Sequence, residues 1–461
     1  MLFRAGAARG TLLEDQELWR RQVVSCQEGG NHWEVIKKRV DALLLGKEVQ
    51  TMIEEYAHMP HPKRKLRIRA YNELRDTGVI HTYCRYTDDI TAKMKIPEYA
   101  KPGKPGRIIG DYACPASLLA GYMYEQMKEA LSSEFMVGNI VCQFVKTPRL
   151  STLDSVFEQL INSRKNVLVF FSDDACFAVT IDGVRRMFNL DISKCDASHG
   201  SCIFDIIPTM VSELAWKDLA TASVEQCTRW NTVYSPKDPN YGKRKKKLFM
   251  YRKCGQPMLS SGWSGTTLIN CVAVIKIAEQ IAKLPFDNPE TLERDIKLAA
   301  NSAGYVVTAE FCHSYHSLQF LKHSPVRDAS GRLRAILNLG VVLRTLGQCD
   351  GDLPGRGDID RRALEFNSSV IRGMCYMGNH CIHTALRKRF NLHVAPRASF
   401  LSSNIVIDRA DVEVDDSEVC VRYGIALSDL HELVRYIEYS EIGDRIHCNA
   451  SARILAVDYG L

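Results

Sequence analysis

The chain has 461 residues, 46% of them apolar and 25% charged, with a formal net charge of +6. This length and apolar share bury a large core across two or three subdomains, which excludes a disordered or fibrous protein. No apolar run approaches the ~20 uncharged residues that a membrane-spanning helix needs, and sixteen cysteines without paired short spacing, behind no signal-peptide pattern, predict free thiols in a reducing compartment.

Residues 1 to about 90 carry apolar positions at helical spacing, as in EVIKKRVDALLLGKEVQTMIEEYA. A Pro/Gly-rich basic loop follows from Ile96 to Gly110, then two helical stretches, PASLLAGYMYEQMKEALSSEF and STLDSVFEQLINSRK. VLVFFSDDACFAV reads as a β-hairpin that lifts Asp173 and Asp174 onto its turn, and NLDISKCDASHG sets Asp191 and Asp196 after an apolar strand end. NYGKRKKKLFMYRKCGQPMLSSG has the Gly-punctuated look of a ribbon. In SSGWSGTTLINCVAVIKIAEQIAKL, Ser261, Gly262, Thr266 and Asn270 precede and open an apolar helix. NPETLERDIKLAANSAG is helical and stops at Gly304, and YVVTAE is strand-like. From about 326 onward no motif is legible.

The mild basic excess agrees with a polyanionic partner, and its distribution says more. Basic residues cluster at Lys63 to Arg69, Lys93 to Arg107 and Lys243 to Lys253. Carboxylates are the hard ligands that magnesium and manganese prefer, so the two acidic segments point to a two-metal site.

The spacing S-G-x-x-x-T-x-x-x-N from Ser261 to Asn270, together with the acidic segments, resembles a viral RNA-directed RNA polymerase of the palm type. Motif A matches Asp191 to Asp196, motif B Ser261 to Asn270, and motif C Ser172 to Asp174. Their order here is C, A, B, which resembles the permuted polymerases of permutotetraviruses and birnaviruses. The resemblance runs by motif over roughly residues 90 to 325. It implies an α+β right-hand fold of fingers, palm and thumb, with an antiparallel palm sheet backed by helices and permuted palm connectivity. The corresponding division is an N-terminal fingers region at 1–115, a palm at 116–325 with a fingers insertion at about 201–258, and a thumb at 326–461.

The resemblance also implies residue roles. Asp173, Asp174 and Asp191 are the catalytic metal ligands, joined by the Ile192 carbonyl, for two Mg2+ or Mn2+ ions. Asp196, Ser261, Gly262, Thr266 and Asn270 sense the nucleotide 2′-hydroxyl, which both donates and accepts and so separates RNA from DNA precursors. Lys101, Lys104 and Arg107 lie in a motif F-like loop and neutralise the triphosphate, Arg107 through bidentate pairing. Lys243, Arg244 and Lys245 contact RNA phosphate; the same lysine run reads equally as a nuclear-localisation look-alike or a solvated ribbon. Template RNA, nascent RNA, ribonucleoside triphosphates and other viral replication proteins are the expected partners, in the host cytoplasm.

Three features keep other readings open. VEVDDSEVCV, about 145 residues past motif B, offers Asp415 and Asp416 as a second hairpin and a rival motif C; CDGDLPG around Asp350 and Asp352 follows no strand-like run. The motif D lysine that the family uses as general acid is missing from YVVTAEFCHSYHS, which leaves His313 or His316 for that role. Two Cys/His groupings, Cys312/His313/His316 and Cys375/His380/Cys381/His383, lack a Cys-x-x-C partner and are not assigned to zinc. A non-catalytic RNA-binding replication protein and a metal-dependent phosphohydrolase are the alternatives. The first predicts RNA affinity without metal dependence, and the second has no need of Ser261 to Asn270.

Overall fold

The computed structural model describes residues 12–78, 91–94, 108–111, 115–225, 227, 231–234, 247–250, 259, 261–346, 370–371, 373–389, 412–441, 444 and 446–459. The chain opens on helices α1 (Leu12–Gln27), α2 (Asn31–Leu44), α3 (Val49–His58) and α4 (Arg64–Thr77). The helical pattern read over 34–57 is broken in the middle: Leu45 leaves the helical region and Gly46 takes φ +72, a conformation that glycine adopts without a Cβ clash. α2 buries Ile36, Val40 and Leu44, four residues apart on one face.

Strands β1 (Thr91–Met94) and β2 (Ile108–Asp111) pair antiparallel, so the end of the basic loop, from Ile108, is strand. With β8 (Asn231–Tyr234) and β9 (Lys247–Met250) they form a four-stranded sheet in the order β2-β1-β8-β9. Lys247–Met250 belongs to the ribbon expected from the sequence.

After α5 (Pro115–Leu119) and α6 (Gly121–Ser132), a six-stranded sheet is built from β3 (Phe135–Val137), β4 (Ile140–Phe144), β5 (Asn166–Phe171), β6 (Asp174–Ile181), β7 (Val184–Ile192) and β10 (Val307–Cys312). Its order is β10-β7-β6-β5-β4-β3. The expectation of an antiparallel sheet needs one correction, because β4 runs parallel to β5 over Ile140↔Asn166 to Phe144↔Phe170. A parallel pair cannot be joined by a tight turn, and the chain supplies α7 (Leu150–Asn162) as the connection.

Two compact units divide the chain. The larger comprises Met1–Lys146, Arg164–Val184 and Leu190–Glu310. It contains α8 (Ser201–Met210), α9 (Lys217–Glu225), α10 (Thr266–Ile281) and α11 (Leu292–Ser302). In α10 every residue from Leu268 to Glu279 is buried, the pattern of a helix enclosed on all sides. Its buried polar groups are paired: Lys276 Nζ lies 3.0 Å from Glu279 and donates to the Ser25 carbonyl at 3.1 Å, and Glu279 Oε1 accepts from Trp33 Nε1 at 2.6 Å with His32 Nε2 at 2.9 Å. These bonds tie α10 to α1 and α2.

The smaller unit comprises Thr147–Ser163, Arg185–Asn189 and Phe311–Leu461. It holds α7, the hairpin β11 (His323–Arg327) and β12 (Leu333–Leu337), α12 (Leu339–Leu346), and helices Cys381–Arg389, Asp416–Tyr423, Leu427–Tyr439 and Asn449–Tyr459. Its core includes Val326, Ile336, Leu339, Met377, Leu430 and Ile454. Asp458, at the heart of that packing, accepts from Arg422 at 2.9 Å, the Tyr423 hydroxyl at 3.0 Å and the Gly340 amide at 2.8 Å.

Candidate active site

The acidic hairpin forms as the sequence predicts. β5 and β6 pair up to Phe171↔Asp174, which leaves Ser172 and Asp173 as a two-residue turn. Ser172 takes φ +59, a left-handed conformation uncommon for serine. β6 and β7 are joined by Asp182 and Gly183, at φ +50 and +76, the pair of positive angles of a type I′ turn. Counted from that turn, a regular antiparallel ladder sets Asp174 opposite Asp191. Asp173, Asp174 and Asp191 therefore gather at one end of the hairpins, the first two half-buried and Asp191 exposed, while the Ile192 side chain is buried. The left-handed Lys194, φ +51, turns the chain out of β7 into the short 3-10 turn Cys195–Ala197 that carries Asp196.

Asp196 and Asn270 together are the meeting point of the three motifs. Its Oδ2 accepts from the Ser261 hydroxyl at 2.6 Å and its Oδ1 from Asn270 Nδ2 at 3.4 Å. The same Asn270 nitrogen donates to Ser172 Oγ at 3.0 Å. One amide thus links the acidic turn, the segment after β7 and the start of α10. Asn270 is only 2% exposed, so its amide must find partners inside the protein.

The remaining polar atom of that amide identifies a residue that sequence reading passed over. His199 Nε2 lies 2.9 Å from Asn270 Oδ1, and His199 Nδ1 lies 3.1 Å from the Tyr305 hydroxyl. Because Asn270 spends its amino group on Ser172 and Asp196, its oxygen must accept, which assigns the proton to His199 Nε2. Tyr305 then donates to Nδ1. The Cys195 sulfur lies 3.6 Å from the same Nε2. A single histidine before a helix carries no motif, and only packing reveals its place.

The loop ahead of α10 is held by Trp263. Its indole donates to Ser117 Oγ at 2.8 Å, and its ring packs on Tyr124 with centroids 5.3 Å apart. A Cβ on Gly265 would overlap that ring, so the loop needs glycine there for space. Thr266 donates its hydroxyl to the Trp263 carbonyl at 2.9 Å and closes the loop on itself. Gly262 is half-buried beside it. Behind the acidic turn, burial pushes the Cys271 thiol up to about 12, which makes it a neutral packing group.

Other expected residues fall elsewhere. Lys101, Lys104, Arg107, Lys243, Arg244 and Lys245, with Asp350 and Asp352, lie outside the described residues. The rival hairpin at Asp415 and Asp416 is corrected: Asp415 is the N-cap of the helix Asp416–Tyr423, its carboxylate accepting from the Ser417 amide at 2.8 Å, and Asp416 accepts from the Cys381 amide at 2.9 Å. The run Asp-Asp-Ser-Glu is a helix-start signal, and here it outweighs the strand-like VEV before it. In the smaller unit, His316 is buried with Nε2 3.2 Å from Glu418, whereas His313 is exposed. Phe320 to His323 form a tight turn, with Leu321 and Lys322 both left-handed.

No family model and no curated protein matches the chain. Among solved structures it is similar to the birnavirus VP1–VP3 complex, at 12% identity and a TM-score of 0.42 over 87% of this chain and 57% of that one. It is also similar to the RNA polymerase VP1 from infectious pancreatic necrosis virus, at 11% identity and a TM-score of 0.41 over 90% and 58% of the two chains. The chain spans less than three fifths of the length of either relative.

Proposed function

We propose that the chain is an RNA-directed RNA polymerase that copies a viral RNA genome by two-metal-ion nucleotidyl transfer, with fingers at 1–115, palm at 116–325, an insertion at about 201–258 and thumb at 326–461. The observation that carries the reading is the bridging of three separate sequence motifs by Asn270 and Asp196. A solvated Asp-Asp turn has no reason to be wired to a buried amide in a distant helix.

The donor set at the acidic turn fits the expected ions. Asp173, Asp174 and Asp191 offer hard oxygens, which suit Mg2+ or Mn2+, with the Ile192 carbonyl as a further ligand. When bound, the ions supply acidification of the primer 3′-hydroxyl and neutralisation of the departing pyrophosphate. The chain itself orients and selects. With both N–H groups of Asn270 committed, Asp196 is the group that touches the ribose: each carboxylate oxygen accepts one of these bonds and keeps a lone pair for a 2′-hydroxyl. Asn270 acts as its positioning residue. Lys101, Lys104 and Arg107 hold the triphosphate. Lys243, Arg244 and Lys245 bind RNA phosphate.

The test is incorporation of labelled ribonucleotides on an RNA template. The intact protein should extend it only with Mg2+ or Mn2+, and Asp191→Asn should abolish extension. RNA binding with no extension under any metal would refute the reading.

A further inference from the structure

The smaller unit holds a second group of metal-binding side chains that the polymerase reading does not use. The helices Cys381–Arg389 and Asp416–Tyr423 bring their first turns together. There His380, Cys381 and Asp416 each present one ligand atom, and these atoms lie within 4.8 Å of one another. A cavity of about 630 Å³ opens on the group, lined also by Glu413, Cys420 and His431.

His380 is the second, independent pointer. It is only 4% exposed, yet neither ring nitrogen makes a hydrogen bond of ordinary geometry. An imidazole that has given up water without a well-formed hydrogen bond in return calls for an explanation, and the neutral imidazole is the commonest metal ligand among side chains. The Asp416 carboxylate is already oriented, since its Oδ1 accepts from the Cys381 amide at 2.9 Å. That is the outer support that fixes a ligating carboxylate.

We propose that His380, Cys381 and Asp416 form a zinc site whose fourth position is a water from the adjoining cavity. The mixed nitrogen, sulfur and oxygen donors select zinc over magnesium. Tetrahedral zinc, with bonds of roughly 2.0–2.3 Å, sets its ligands roughly 3.3–3.8 Å apart, so the three side chains close inward by about an ångström. Binding replaces the Cys381 thiol proton with the metal and releases that proton to solvent, so affinity rises with pH. The bound ion would clip together two helix starts whose ligands Cys381 and Asp416 are 35 residues apart in sequence.

The test uses the full chain, stripped with chelator and titrated with Co2+ and then Zn2+. One equivalent of Co2+ should produce thiolate-to-metal charge-transfer absorption, which Zn2+ abolishes. Cys381→Ser should lose the band, Asp416→Asn should weaken Co2+ binding by about tenfold or more, and Asp415→Ala should retain it. Cobalt at Asp173 and Asp191 meets only oxygen donors and gives no such band. X-ray absorption of the zinc-loaded wild-type protein reads the ligands without any variant, and it should contain one sulfur at about 2.3 Å. A zinc shell without sulfur, no charge-transfer band, or a band that survives Cys381→Ser would overturn the proposal.

Discussion

His199 Nε2 donates to Asn270 Oδ1 across 2.9 Å, and that bond decides which way the Asn270 amide faces. Flipped, the amide would point its oxygen at Asp196 and Ser172 Oγ, setting one acceptor against a carboxylate. His199→Phe keeps a ring in the packing but leaves Asn270 Oδ1 without its donor, a loss of about 1–3 kcal/mol. Discrimination of ribonucleotides from deoxyribonucleotides should fall by roughly tenfold to a hundredfold in kcat/KM. An unchanged ratio would remove His199 from the selection network.

Gly265 sits against the Trp263 ring with no room for a methyl group. Gly265→Ala should destabilise the protein by about 1–3 kcal/mol, as overpacking does. Trp263→Leu combined with Gly265→Ala should cost less than the sum of the two single changes, because the residues share one space. Additive losses in denaturant unfolding would contradict this.

Lys276 and Glu279 form a buried pair, with side chains 2% and 8% exposed. Lys276→Met alone leaves Glu279 charged and buried, and should cost about 3–5 kcal/mol. Lys276→Met with Glu279→Leu removes both charges and should recover part of that loss. Equal destabilisation of the single and double variants, measured by urea unfolding, would contradict the account.

Asp328 gives the smaller unit an acid limit. Desolvation pushes its pKa up, but hydrogen bonds from the Ser330 hydroxyl, Arg334 and the Arg332 and Ser330 amides outweigh that and hold it well below the usual carboxylate range. A depressed folded pKa means stability that is present above the unfolded value of about 3.9 and is lost as pH falls further. Asp328→Asn should be less stable at neutral pH and lose less on acidification from about pH 5 to about pH 2. Parallel losses in the two proteins would show that Asp328 contributes no acid sensitivity.

The acidic turn was legible because strand alternation and a Ser-Asp-Asp break between apolar runs are local signals, and β5 and β6 pair just as those signals require. Gly304 likewise stops α11 where its position suggests, at φ +83. Non-local placement was not legible. Nothing in STLDSVFEQLINSRK says that the strands on either side of it run parallel, and nothing in DASHG says that His199 faces an asparagine 71 residues on. Asp415 shows the opposite error, where a strand-like run hid a helix cap that Ser417 and the following helix make plain.

The most direct measurement compares RNA-templated ribonucleotide incorporation by the intact chain, Asp173→Asn and Asp415→Asn, with each variant's folding checked by circular dichroism. The account predicts that Asp173→Asn reduces extension by several orders of magnitude, while Asp415→Asn, which puts an equally good helix-capping side chain in place of the carboxylate, leaves it near the intact level. Full activity in Asp173→Asn, or loss confined to Asp415→Asn, would contradict it.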